Sequence, residues 1–194
     1  MHEPQRTLVG HFRHETGHYY WDALIANSHW HERFRSLFGD ERINYDEALK
    51  AHYVNGPSAD WASRCVSAYA SVHPWEDWAE TWAHFLQMAD SLETAASFGM
   101  SLRPRHPSAK TLSADPQKAL KGDGTFETML EHWLPLTYAL NSLNRGIGIP
   151  DAYPFVLSGP ALEKLRFVHE VIAQQKPQSA TAPDIYGQSL QRVS

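Results

Sequence analysis

The sequence is short of cysteine, of basic clusters and of long apolar runs, and each shortage closes off a class of function. Cys65 is the only cysteine in 194 residues, so neither an internal disulfide nor a paired-cysteine metal knuckle can form within this chain. A lone thiol suits a reducing compartment. The first residues, MHEPQRTLVGHFRHE, are too polar for the apolar core of a secretion signal, and the expected location is cytoplasmic. No apolar stretch approaches the roughly 20 residues that span a bilayer, so a membrane role is not expected. Lysine and arginine are outnumbered by aspartate and glutamate, 17 to 22. They nowhere gather into a patch that would track phosphates, and nucleic acid is not an expected partner. Strand signals are scarce as well: Phe155–Leu157 is the one candidate, and no internal repeat is visible.

What the sequence has in quantity is aromatic and imidazole side chains. Seven Trp, eight Tyr and eight Phe stand beside twelve His. They crowd into Phe12–Phe38 and Tyr69–Phe85, which points to a large aromatic core threaded with polar tips. The apolar spacing is helical. A first helix is expected over Gln5–Asn27 behind Pro4, with Leu8, Phe12, Tyr19 and Leu24 inward. Gly10 and Gly17 would each cost that helix about 1 kcal/mol relative to alanine, a cost easier to accept where a small residue allows close packing beside a metal. Shorter helices are expected over His29–Phe38 and, capped by Asn44, over Asn44–Tyr53 with Ala48, Leu49 and Tyr53 inward. Ser58 can cap another through Trp61 and Cys65. The longest periodic run opens at His73-Pro74-Trp75 and continues to about Phe98. Ser101–Thr125, rich in proline and glycine, reads as a long loop with one helical turn near Gln117–Leu120, and as a candidate lid. Helices over Phe126–Leu143 and Ser158–Gln174 complete one mainly helical domain, residues 1–174. The polar residues 175–194 read as a flexible tail.

Within the first helix lies His14-Glu15-Thr16-Gly17-His18, an H-E-x-x-H signature. On a helix the two histidines are one turn apart on one face and can reach a single metal ion. Glu15 beside them is placed to take a proton from a metal-activated water. A catalytic zinc needs a third protein ligand and one open position. His11, three residues earlier, would strain tetrahedral angles as a third ligand from one helix, and reads as an outer-shell or core residue. The better candidate lies in HPWEDWAETW, where Glu76 and Glu80 are one turn apart on an otherwise apolar helix. Acids there are costly to bury unless they bind something. Glu76 is therefore assigned to zinc, and Glu80 to a hydrogen bond from the non-ligating nitrogen of a zinc-bound histidine, His14 in the first instance. Asp77 reads as a solvated helix cap that takes the ligand role only if the helix is rotated. Cys65 reads as a small buried hydrophobe.

These two stretches, HFRHETGHYYWD and SAYASVHPWEDWAETWAHFLQ, resemble the bacterial zinc-binding metallopeptidase family, a group within the zincin-like metallopeptidases with glutamate as third ligand. The likeness covers roughly Arg6–Met100. It implies a zincin-like helical core, a Zn²⁺ cofactor, and a peptide or protein substrate. In related zincins of the anthrax lethal factor type, a tyrosine seven residues before the ligand glutamate assists the transition state, and that offset falls on Tyr69. Family members carry a cysteine-rich zinc-ribbon-like region and a further region ahead of the H-E-x-x-H helix. This chain starts almost at that helix, so the expectation is a helical core without the N-terminal sheet portion.

The expected reaction is zinc-dependent peptide hydrolysis with Glu15 as general base and Tyr69 or His73 donating to the oxyanion. Three rivals use the same residues: a zinc-binding protein without catalysis, a helical interaction module whose histidines and acids are structural, and hydrolysis of a non-peptide amide by the same metal–water chemistry.

Overall fold

Helix α5 (Pro74–Ser97) is the post on which the other elements are set. Its start is specified locally. The His73 ring accepts a hydrogen bond from the Trp75 amide at 3.1 Å, Pro74 fills a first-turn position that needs no amide proton, and Glu76 and Asp77 sit at the positive helix end. Trp78, Ala79, Trp82, Ala83, Phe85, Met88 and Leu92 along it are all buried, as expected of a helix that is apolar nearly all round. In the computed structural model, residues 7–121, 124–153 and 156–175 are described, with no side chains described for 107–109.

Five helices pack on α5: α1 (Leu8–Tyr20), α2 (His31–Phe38), α6 (Pro116–Lys121), α7 (Phe126–Gly146) and α8 (Gly159–Gln175). Helix α3 (Tyr45–Asn55) begins close to the N-terminal end of α5, and α4 (Trp61–Arg64) packs on α8. The core joins Phe34 and Phe38 of α2, Trp78 and Trp82 of α5, Trp133 of α7 and Phe167 of α8. The fold is mainly helical. Among the described residues there is no strand, only an isolated bridge between Leu102 and Ala114. Among them, too, no helix is long and apolar enough to cross a membrane. The expected helix start at Gln5, Phe155 of the candidate strand, and the tail from residue 176 onward lie outside the described residues.

The first helix departs most from expectation. It ends at Tyr20, runs into a π turn over Trp21–Ile25, and the chain then turns at Asn27 with a φ of 58°. An asparagine tolerates this left-handed conformation better than most residues. The burial is also reversed: Leu8, Phe12 and Tyr19 are exposed, whereas His14 and Gly17 are buried. A similar correction applies to α3, where Tyr53 faces out and His52 is buried. The helical turn expected near Gln117–Leu120 is present as α6, and the described part of the 101–125 segment is more ordered than a plain loop. It contains the Leu102–Ala114 bridge, a 3-10 turn over Pro107–Leu112 and α6, and Gln117 donates to the Ala96 carbonyl at 2.8 Å. Ala96 lies about 30 Å along α5 from Glu76 at the helical rise, so this segment docks at the end remote from the histidines.

What brings α1 onto α5 is the absence of a side chain at Gly17. A methyl group there would lie 2.9 Å from Ala79 Cα and 3.2 Å from Trp82 Cβ. Two indoles complete the seam: Trp78 Nε1 donates to the Gly17 carbonyl at 2.8 Å and Trp82 Nε1 to Thr16 Oγ1 at 3.3 Å. Overpacking of this kind costs about 1–3 kcal/mol, against the roughly 1 kcal/mol of helix propensity that alanine returns. Gly17→Ala is expected to lower the unfolding free energy by about 0–2 kcal/mol in urea titrations. A more stable variant would contradict this close approach.

Asp77 is not the solvated cap expected of it. It is buried and paired with Lys164 Nζ at 2.5 Å, and the same ammonium donates to the Arg64 carbonyl at 2.8 Å. Burial outweighs the lysine and pushes Asp77 up to about 6. The side chain of Asp77 therefore ties α5 to α8, while its neighbour Glu76 points to α1. Cys65 is buried beside this pair, its Sγ 3.8 Å from Asp77 Oδ2, and burial raises the thiol to about 11.

Candidate metal centre

The close contact at Gly17 carries the two flanking imidazoles over the first turn of α5. His14 Nε2 lies 3.1 Å from His18 Nε2 and 3.1 Å from Glu76 Oε2, and His18 Nε2 lies 3.6 Å from Glu76 Oε1. Among the described residues these three form a group whose donor atoms all fall within 4.8 Å of one another. For zinc bonds of about 2.0–2.1 Å, the edges of a tetrahedron are about 3.3 Å, close to the spacings seen here. Glu76 Oε2 is buried and has no hydrogen-bond partner of good geometry despite its nearness to His14. A buried carboxylate oxygen left in that state is costly, and a cation between the three residues would satisfy it. Two imidazoles and one carboxylate are thus a donor set that fits zinc.

The flanking contacts fix each ligand candidate. His14 Nδ1 meets Glu80 Oε1 at 2.7 Å, and Glu80 Oε2 accepts from Ser67 Oγ at 2.5 Å. Glu76 Oε1 accepts from the Tyr45 hydroxyl at 2.6 Å. Ser67 opens the second of the two stretches and Tyr45 lies outside both; tertiary packing brings their hydroxyls to the carboxylates. Burial depresses His14, but Glu76 and Glu80 on either side outweigh it and raise the imidazole to about 9. His18 is lowered, chiefly by burial. Burial pushes Glu76 and Glu80 up, yet contacts with His14, reinforced by Tyr45 and Ser67 respectively, leave both below the ordinary carboxyl value.

The remaining candidates separate into two groups. Glu15 and Tyr69 border an open cleft of about 590 Å³, which is also lined by Thr7, Gly10, His11 and Tyr53 and has His14 in its wall. The Tyr69 ring centroid is 6.0 Å from that of His14, and burial raises its hydroxyl to about 12. His73 does not join them. Its Nδ1 caps α5 and its Nε2 meets the Ile43 carbonyl at 3.1 Å, so both nitrogens are committed to structure. His11 is exposed and touches Glu15, Nε2 to Oε1 at 3.6 Å, rather than any of the three converging residues. It is not an outer-shell partner of the ligand set.

A family model described as "Putative zinc-binding metallo-peptidase" matches residues 1–171. Uncharacterized proteins of Mycobacterium bovis and of two strains of Mycobacterium tuberculosis are each 46% identical over 178 residues. Those alignments take in 91% of this chain and 50% of each relative; the chain spans about half the length of the curated relatives it matches. No solved structure matches.

Proposed function

Because the chain belongs to the zinc-binding metallo-peptidase family, we propose that it hydrolyses peptide bonds at a zinc site formed by His14, His18 and Glu76. The observation that carries this reading is the convergence of those three side chains, of which His14 stands in the wall of an open cleft bordered by Glu15. A zinc ion held there supplies Lewis acidity and acidifies a water molecule. The other steps belong to side chains. Glu15, with half of its surface exposed to the cleft and no strong partner, accepts the proton of the attacking water and returns it to the leaving amine. Tyr69, whose high pKa keeps it protonated at neutral pH, donates to the oxygen that gains charge. Glu80 orients His14 and holds its Nδ1 proton, so that Nε2 is the atom offered to the metal. The cleft between α1 and the Tyr53–Tyr69 wall receives the peptide.

The test is metal analysis of the purified protein followed by incubation with a mixed peptide library, with and without chelator. One zinc per chain and chelator-sensitive cleavage at internal peptide bonds are expected. One zinc with no cleavage would leave a metal-binding protein without hydrolysis, and no zinc would overturn the reading altogether.

A further inference from the structure

Tyr45 lies outside both motif helices, 31 residues before Glu76, and opens α3. Its ring stands edge-on to His73 and Trp75, with centroids 5.3 Å and 6.1 Å away. Its hydroxyl donates to Glu76 Oε1 at 2.6 Å. The two oxygens of Glu76 are therefore unequal. Oε1 is held by Tyr45, while Oε2 lies 3.1 Å from His14 Nε2 without a hydrogen bond of good geometry.

We propose that Tyr45 is a positioning residue of the metal centre, which turns Glu76 so that Oε2 is the oxygen presented to the ion. This inference rests on the zinc reading above. A free glutamate carboxylate, carried on three rotatable bonds, can swing both oxygens toward a cation. The Tyr45 hydrogen bond removes that freedom on one side and favours a single-oxygen ligand. Such outer-shell partners typically carry a 10–100-fold share of metal affinity.

Tyr45→Phe removes the hydroxyl and keeps the ring, and Tyr69→Phe serves as its control. Zinc affinity is read by competition with a chromophoric chelator, and ligand geometry by the visible spectrum of the cobalt-substituted protein. Tyr45→Phe is expected to bind zinc about 10–100-fold more weakly and to alter the cobalt spectrum. Tyr69→Phe is expected to keep both and to lose peptide hydrolysis. The melting temperature of the metal-free proteins is recorded alongside, and affinities are compared at a temperature where all are folded. A Tyr45→Phe protein with the parent's zinc affinity and cobalt spectrum overturns the inference while leaving the zinc site intact. A parent that binds no zinc removes the site and this inference together.

Discussion

Glu76→Gln is expected to yield a folded protein that no longer retains zinc. The substitution preserves shape, and a glutamine carbonyl can still accept the Tyr45 hydrogen bond that now ends on Oε1. What disappears is the anion. A neutral amide oxygen is a far poorer partner for zinc than a carboxylate, and the two imidazoles are left without the charge that balances the ion. The loss should exceed the roughly 10–100-fold expected when an outer-shell partner goes, which is the loss anticipated for Glu80→Gln. The ranking of these two variants is itself informative, because Glu76 and Glu80 lie one turn apart on α5 and both contact His14. Equal losses would mean that the two carboxylates share the ion, and a smaller loss at Glu76 would exchange their roles. Equilibrium dialysis with zinc at neutral pH reads the difference directly.

Glu15→Gln should do the opposite, leaving zinc in place and stopping hydrolysis. Glu15 is exposed at the cleft on α1, its one ion-pair contact among the described residues being His11 at 3.6 Å, and it is absent from the group of converging donors. Fold and metal affinity should therefore be near those of the parent, as for exposed substitutions generally. The rate should not. A positioned general base contributes about 10²–10⁴-fold, equivalent to about 3–5 kcal/mol of activation free energy. The reading is contradicted if the zinc-loaded variant cleaves a sensitive peptide as fast as the parent does.

The helices were legible in the sequence wherever local chemistry set them. Asn44 caps α3 through the Glu47 amide as its spacing suggests, and His73-Pro74 opens α5. The ligand candidates were legible too, since H-E-x-x-H fixes a face on α1, and the Glu76–Glu80 pair is hard to place on an apolar helix for any other reason. Which side of α1 turns inward was not legible by hydrophobicity. Leu8, Phe12 and Tyr19 mark an apolar stripe, yet the buried side is that of His14 and Gly17. There the missing Cβ at Gly17, two indole hydrogen bonds to the Gly17 carbonyl and Thr16, and the carboxylates of α5 outweigh the stripe.

Asp77 shows the same limit from the other direction. Beside Glu76 in the first turn it has every local mark of a solvated cap, and only Lys164, 87 positions later, explains its burial. Tyr45 was invisible for a like reason, since it meets Glu76 across a tertiary contact from 31 residues away, and Ser67, though inside the second stretch, carries no local mark that its hydroxyl meets Glu80. His73, a candidate because it stands one turn before Glu76, is placed differently: its ring caps α5 and meets the Ile43 carbonyl.

X-ray absorption at the zinc edge of the metal-loaded protein examines the shared ion most directly. Two imidazole scattering patterns with light-atom ligands at about 2.0–2.1 Å, and loss of one pattern in His18→Ala, are the predicted outcome. Fewer than two imidazoles in the parent, or a sulfur shell contributed by Cys65, would contradict a site built from His14, His18 and Glu76.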